Sequence, residues 1–121
     1  MARILLIEDD AQIRANVRRY LALNGHEVTE AADGAAGLAA ARGARPDLVL
    51  CDVMMPGLDG FGVLAALRAA PATAGIAFVF ITASAEREAM ARGLELGAAD
   101  YVVKPFDLAT LGAVLAKHLP R

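Results

Sequence analysis

A chain of 121 residues, 57% of them hydrophobic and with a net charge of −2, can bury one core and is too apolar to be disordered. That balance supplies no basic face, so no direct nucleic-acid contact is expected. One cysteine, Cys51, cannot close an internal disulfide, which suits a reducing compartment. The longest uncharged stretch, 69–85, falls short of the roughly 20 apolar residues of a membrane span, and Pro71 and Gly75 interrupt it. The expectation is a cytoplasmic protein with no membrane contact.

The chain opens with an apolar run at 3–7 (RILLI), read as a strand. A helix is expected over 11–23, where Ile13, Val17, Tyr20 and Leu21 fall on one stripe. A second strand, 26–31 (HEVTEA), alternates polar and apolar residues and so suits a sheet edge. A helix over 34–42 leads to the strand 47–51 (DLVLC), followed by a Pro56-Gly57 turn and a helix over 60–69. The strand 76–81 (IAFVFI), a helix over 86–96, the strand 101–103 (YVV) and a helix over 108–119 complete the chain. The first, third and fourth runs are continuously apolar, as parallel strands covered on both faces should be. Asp33 and Asp59 stand at N-cap positions, and Gly25, Gly43 and Gly97 where a left-handed C-cap favours glycine. Five strands alternating with five helices imply a doubly wound α/β sheet. No linker or internal repeat divides it, so residues 1–121 read as a single domain.

The polar residues cluster at the C-terminal ends of the strands. Glu8, Asp9 and Asp10 follow the first, Asp52 the third, Thr82 the fourth and Lys104 the fifth. In an open α/β sheet that edge is where ligands bind. Carboxylates gathered there repel, by on the order of 4 kcal/mol for one pair about 4 Å apart at an effective dielectric near 20. Protons or a cation must offset that repulsion. Hard oxygen donors without His or Cys suit Mg²⁺, with Mn²⁺ able to stand in. A metal beside a nucleophilic carboxylate and a lysine suits phosphoryl transfer.

Glu8-Asp9, Asp52 within "DVMMPGLDG", Thr82-Ala83, and Tyr101 to Phe106 as "YVVKPF" together resemble the receiver domain of two-component response regulators, in order and over the whole chain. The resemblance implies a flavodoxin-like (βα)5 fold with strand order 2-1-3-4-5. It implies that Asp52 accepts a phosphoryl group from a sensor histidine kinase or a histidine phosphotransfer protein. Asp9 and Asp52 would bind Mg²⁺ directly, with the Met54 carbonyl as a further ligand and Glu8 acting through water. Lys104 would pair with Asp52 and then with the phosphoryl group, and Lys104-Pro105 would be a cis peptide. Thr82 would hydrogen-bond the phosphoryl oxygen and Tyr101 would follow it inward. Met54 and Ser84 would occupy the positions that tune loss of the phosphoryl group. Met54 cannot orient an attacking water, so slow to moderate autodephosphorylation is expected.

One charge-assisted hydrogen bond contributes roughly 1.5–3 kcal/mol, and taking a two-state equilibrium from 1:99 to 99:1 needs about 5.5 kcal/mol. Thr82 alone therefore falls short, and Lys104, the metal and Tyr101 must add to it or the switch is partial. The downstream protein is not named by the sequence.

Simpler roles compete at several positions. Asp10 reads as a helix-start residue, Cys51 as a small core hydrophobe facing away from Asp52, and His26 and His118 as too scattered for zinc. In the last helix, Leu108, Leu111, Val114, Leu115 and Leu119 form a buried stripe, leaving Ala109, Thr110, Gly112, Ala113 and Ala116 as a smooth outer face. That face, with the fourth helix and fifth strand, reads as a docking surface. The transcription-factor receivers it resembles carry charges there, but this helix has no arginine, which argues for a monomer or a weak phosphorylation-dependent dimer. Two rival functions are an N-terminal receiver fragment of a larger regulator or hybrid kinase, and a Mg²⁺-dependent phosphohydrolase with an aspartate nucleophile. Against the second, Met54 stands where such enzymes place an acid/base aspartate.

Overall fold

The computed structural model describes residues 2–83 and 87–119. Five strands, β1 (Arg3–Ile7), β2 (Glu27–Ala31), β3 (Leu48–Asp52), β4 (Ala77–Thr82) and β5 (Asp100–Val103), alternate with α1 (Ala11–Leu23), α2 (Gly34–Ala44), α3 (Gly60–Ala69), α4 (Arg87–Glu95) and α5 (Leu108–His118). All strand pairs are parallel, in the order β2-β1-β3-β4-β5. This is the flavodoxin-like arrangement.

Alternation along the central strands sorts the core into two layers. Leu5, Ile7, Val49, Cys51, Phe78 and Phe80 face one side, with Ala41 of α2 and Phe61, Val63, Leu64 and Leu67 of α3. Ile4, Leu6, Leu48, Leu50, Val79 and Ile81 face the other, against Val17 and Leu21 of α1 and Leu111 and Leu115 of α5. Strands buried on both faces need a continuous apolar sequence, which is what β1, β3 and β4 carry. Cys51 is buried and faces the α3 layer.

The boundaries differ from the sequence reading where backbone pairing and conformation set them. Asp52 is the last residue of β3 rather than the first beyond it, paired with Ile81. The His26 amide donates to the Leu21 carbonyl, closing α1 and delaying β2 to Glu27. Gly43 is not a cap. Helix α2 continues through it, and Arg45 takes the left-handed conformation instead (φ 47°) just before Pro46. Gly25 and Gly97 have the expected positive φ, and Asp33 and Asp59 cap α2 and α3 through their side chains.

Two expectations for α5 are corrected. Leu108 is 42% exposed rather than part of the buried stripe, because it opens the helix a turn before Leu111 reaches the sheet. Gly112 does not belong to the outer face: it is half-buried, and a Cβ there would run into the Tyr20 hydroxyl of α1.

Candidate functional site

The sheet register brings the polar strand ends together. Ile7 pairs with Cys51, so Glu8 and Asp52 emerge side by side from β1 and β3. Thr82 pairs with Val103, and the Lys104 amide donates to the Thr82 carbonyl at 2.7 Å. A Cβ on Gly60 would collide with the Asp52 carbonyl oxygen, so only glycine lets α3 begin this close to the end of β3. The Lys104–Pro105 peptide bond is cis.

Glu8 has no exposed surface, and Asp52 and Thr82 are also buried. The Lys104 ammonium reaches between the two carboxylates, 2.8 Å from Glu8 Oε1 and 3.2 Å from Asp52 Oδ2. Its contact with Asp52 is a directed hydrogen bond. Its shorter approach to Glu8 Oε1 is an ion pair off the hydrogen-bonding direction, so that buried oxygen accepts no hydrogen bond among the described residues. Glu8 Oε2 accepts one from the Asp10 amide at 3.2 Å.

Burial pushes the Glu8 carboxyl up to about 7, and neighbouring Asp52 adds to that, against the opposing pull of Lys104. Burial alone would lower the Lys104 ammonium, but its close contact with Glu8 and the charges of Asp52 and Glu8 prevail and raise it. The site is thus short of positive charge.

One carboxylate oxygen each from Glu8, Asp9 and Asp52 lies within 4.8 Å of the others, with Asp9 exposed at the rim. An oxygen-only donor set containing a buried acceptor without a donor fits a hard divalent cation. Asp10 stands apart and caps α1, accepting from the amides of Gln12 and Ile13.

The sequence of this chain matches the response regulator receiver domain over residues 4–116. The chain belongs to that family. Its receiver domain is 42% identical over 119 residues to the transcriptional regulatory protein PrrA of Mycobacterium tuberculosis, covering 98% of this chain and 50% of that protein. It therefore spans about half the length of the curated relatives it matches. Among solved structures it is similar to the chemotaxis response regulator CheY4 of Vibrio cholerae, with a TM-score of 0.93 and 35% identity over 98% of this chain and 99% of that one. It is also similar to the BeF3-activated N-terminal receiver domain of Klebsiella pneumoniae RstA, with a TM-score of 0.90 and 30% identity over 98% and 99% of the two chains.

The other residues singled out in this receiver domain do not join the acidic cluster. Met54 is 71% exposed beside it. Tyr101 is half-buried in β5, over a small depression lined by Val53, Phe80, Thr82, Met90 and Leu94. Ser84 lies outside the described residues. His118 pairs with Asp100 at 3.1 Å, and His26 Nδ1 accepts from the Ala2 amide.

Sequence reasoning missed two features of this receiver domain. Asp107 caps α5 by accepting from the Thr110 amide, a bond that holds its carboxyl below the usual range. An aspartate just before the apolar run was the available signal. Arg14 donates to the Glu8 carbonyl at 2.7 Å. Nothing in the local pattern marks that contact, since it depends on how α1 lies over the end of β1.

Proposed function

We propose that this receiver domain is a phosphorylation-controlled switch in which Asp52 accepts the phosphoryl group. The observation that carries this reading is the Lys104 ammonium set between Glu8 and Asp52 at the ends of β1 and β3. An Asp52 carboxylate oxygen attacks phosphorus in line. The phosphorus–nitrogen bond of a phosphohistidine donor breaks, and its electron pair leaves on the imidazole, which takes up a proton. Lys104, already within reach of Asp52, offsets charge on the transferred group. Glu8, Asp9 and Asp52, with the Met54 carbonyl, would hold Mg²⁺, which when bound offsets charge on the phosphoryl oxygens.

Thr82 then bonds the phosphoryl oxygen and Tyr101 turns toward the depression beside Thr82, changing the face formed by α4, β5 and α5 that a partner reads. A sensor histidine kinase or histidine phosphotransfer protein is the donor. Relatives such as PrrA and AfsQ1 are named as transcriptional regulatory proteins and are about twice this length. In a longer chain of that kind, the same face would act on an attached output domain. Met54 offers no proton and cannot orient water, so turnover of small phosphate esters is slow and the phosphorylated form persists.

Incubation with acetyl phosphate and Mg²⁺, followed by intact mass, tests the reading. The wild-type chain should gain one phosphoryl group and Asp52→Asn none. Equal modification of both, or of neither, would overturn it.

A further inference from the structure

Arg14 lies in the second turn of α1, and its side chain folds back toward the helix start, as helical side chains do. There Nη1 donates to the Glu8 carbonyl at 2.7 Å, the shortest of the bonds that hold this turn. The Glu8 amide donates to the Ala31 carbonyl at 3.1 Å, and the Asp10 amide to Glu8 Oε2 at 3.2 Å. Asp9, whose side chain is exposed, is thus held by a backbone fixed on both sides. Arg14 is itself braced: its Nε lies 3.6 Å from Glu30 Oε1 on the edge strand β2, while Glu30 Oε2 lies 3.4 Å from Arg18 Nε one turn further along α1. A planar guanidinium fork holds a carbonyl on Nη1 and a carboxylate beside Nε in one fixed geometry, which the single nitrogen of a lysine on its flexible stem does not reproduce.

We propose that Arg14, braced by Glu30, is a positioning residue for the acidic pocket, holding the Glu8–Asp9–Asp10 turn so that the carboxylates converge before a cation arrives. The inference rests on the reading of Glu8, Asp9 and Asp52 as a divalent-cation site. Charge and position predict opposite signs here. A guanidinium on the Glu8 carbonyl repels a cation in the adjacent pocket, so by charge alone its removal tightens binding. If Arg14 holds the turn, its removal weakens binding despite the relief of that repulsion.

Calorimetric titration of the whole chain with Mg²⁺ separates the two. Arg14→Met keeps the apolar stem and removes the donor, and should weaken Mg²⁺ affinity about tenfold, the lower end for outer-shell partners. Arg18→Met also removes a positive charge paired with Glu30 but leaves the Glu8 carbonyl contact in place, and should bind Mg²⁺ within about twofold of wild type. With acetyl phosphate, Arg14→Met should need about tenfold more Mg²⁺ for half-maximal phosphorylation while reaching the wild-type rate at saturation. A merely structural role would not produce that split. Should Arg14→Met fail to fold, Arg14→Lys decides, with weaker binding expected. Wild-type affinity or tighter in the decisive variant, or equal weakening in Arg18→Met, overturns the inference. If wild type itself binds no Mg²⁺, the cation-site reading has failed, which is a separate result.

Discussion

Glu8 and Asp52, on the β1–β3 side of the carboxyl edge, are held by charge: a half-buried ammonium, an arginine on a carbonyl, and, with Asp9, carboxylate oxygens within 4.8 Å of one another. Thr82 and Tyr101, on the β4–β5 side, sit instead among fitted surfaces. The rings of Phe78, Phe80 and Phe61 meet edge to face at 5.0 and 5.3 Å, Arg92 of α4 lies 4.5 Å over Phe61, and a Cβ on Gly93 would come within 2.7 Å of the Phe80 ring. The first half should therefore respond to added charge and the second to changed volume. Lys104 joins them, with its backbone on β5's end and its ammonium between β1 and β3.

The largest expected effect breaks the ionic half. Lys104→Met leaves two buried carboxylates facing each other and should cost about 3 kcal/mol in urea unfolding at pH 8 without metal. The loss should shrink at pH 6, where Glu8 takes up a proton.

Next in size is the pH dependence of the metal-free wild type. Glu8 titrates near 7 when folded against an ordinary value of 4.5. Between those values the folded state keeps a proton that the unfolded state has lost. This group's contribution is therefore full below 4.5 and declines as pH rises to about 7, by at most about 3 kcal/mol. Unfolding free energies measured from pH 4 to 8 should show that decline in wild type and lack it in Glu8→Gln. Mg²⁺ favours the ionised form, so the stabilisation it gives should be larger at pH 8 than at pH 6.

The packed half is broken by volume. Gly93→Ala should destabilise by about 1–2 kcal/mol as its methyl meets Phe80, while leaving Mg²⁺ affinity unchanged. A parallel change in metal binding would show that the two halves are not separable in this way. The smallest effect is a control away from both: Gly43 lies inside α2 with nothing within 4 Å of an added Cβ. Gly43→Ala should stabilise by about 0.5–1 kcal/mol in the same assay.

Much of this was legible in the sequence, for physical reasons. Strands buried on both faces must be continuously apolar, so β1, β3 and β4 announced themselves, and a parallel sheet must put their polar successors on one edge. The resemblance supplied the strand order. Gly43 was misread because a glycine near a helix end usually caps it, and here Arg45 before Pro46 took that role. Leu108 and Gly112 were misplaced because helical spacing gives a stripe but not the rotation of α5 about its axis, which Tyr20 and the sheet set. Lys104 was expected beside Asp52. That it lies closer to Glu8 depends on side-chain rotamers that no spacing encodes, as does the reach of Arg14.

Cys51 adjoins Asp52 in sequence yet is sealed in the α3 layer, donating to the Asp52 carbonyl at 3.2 Å, with burial pushing its thiol well above the ordinary range. A folded molecule therefore offers a disulfide reagent no thiolate, and the chain has no second cysteine to confuse the reading. The labelling rate of native protein becomes a stopwatch for how often the central strand opens. Mg²⁺, by binding the folded form, should slow it.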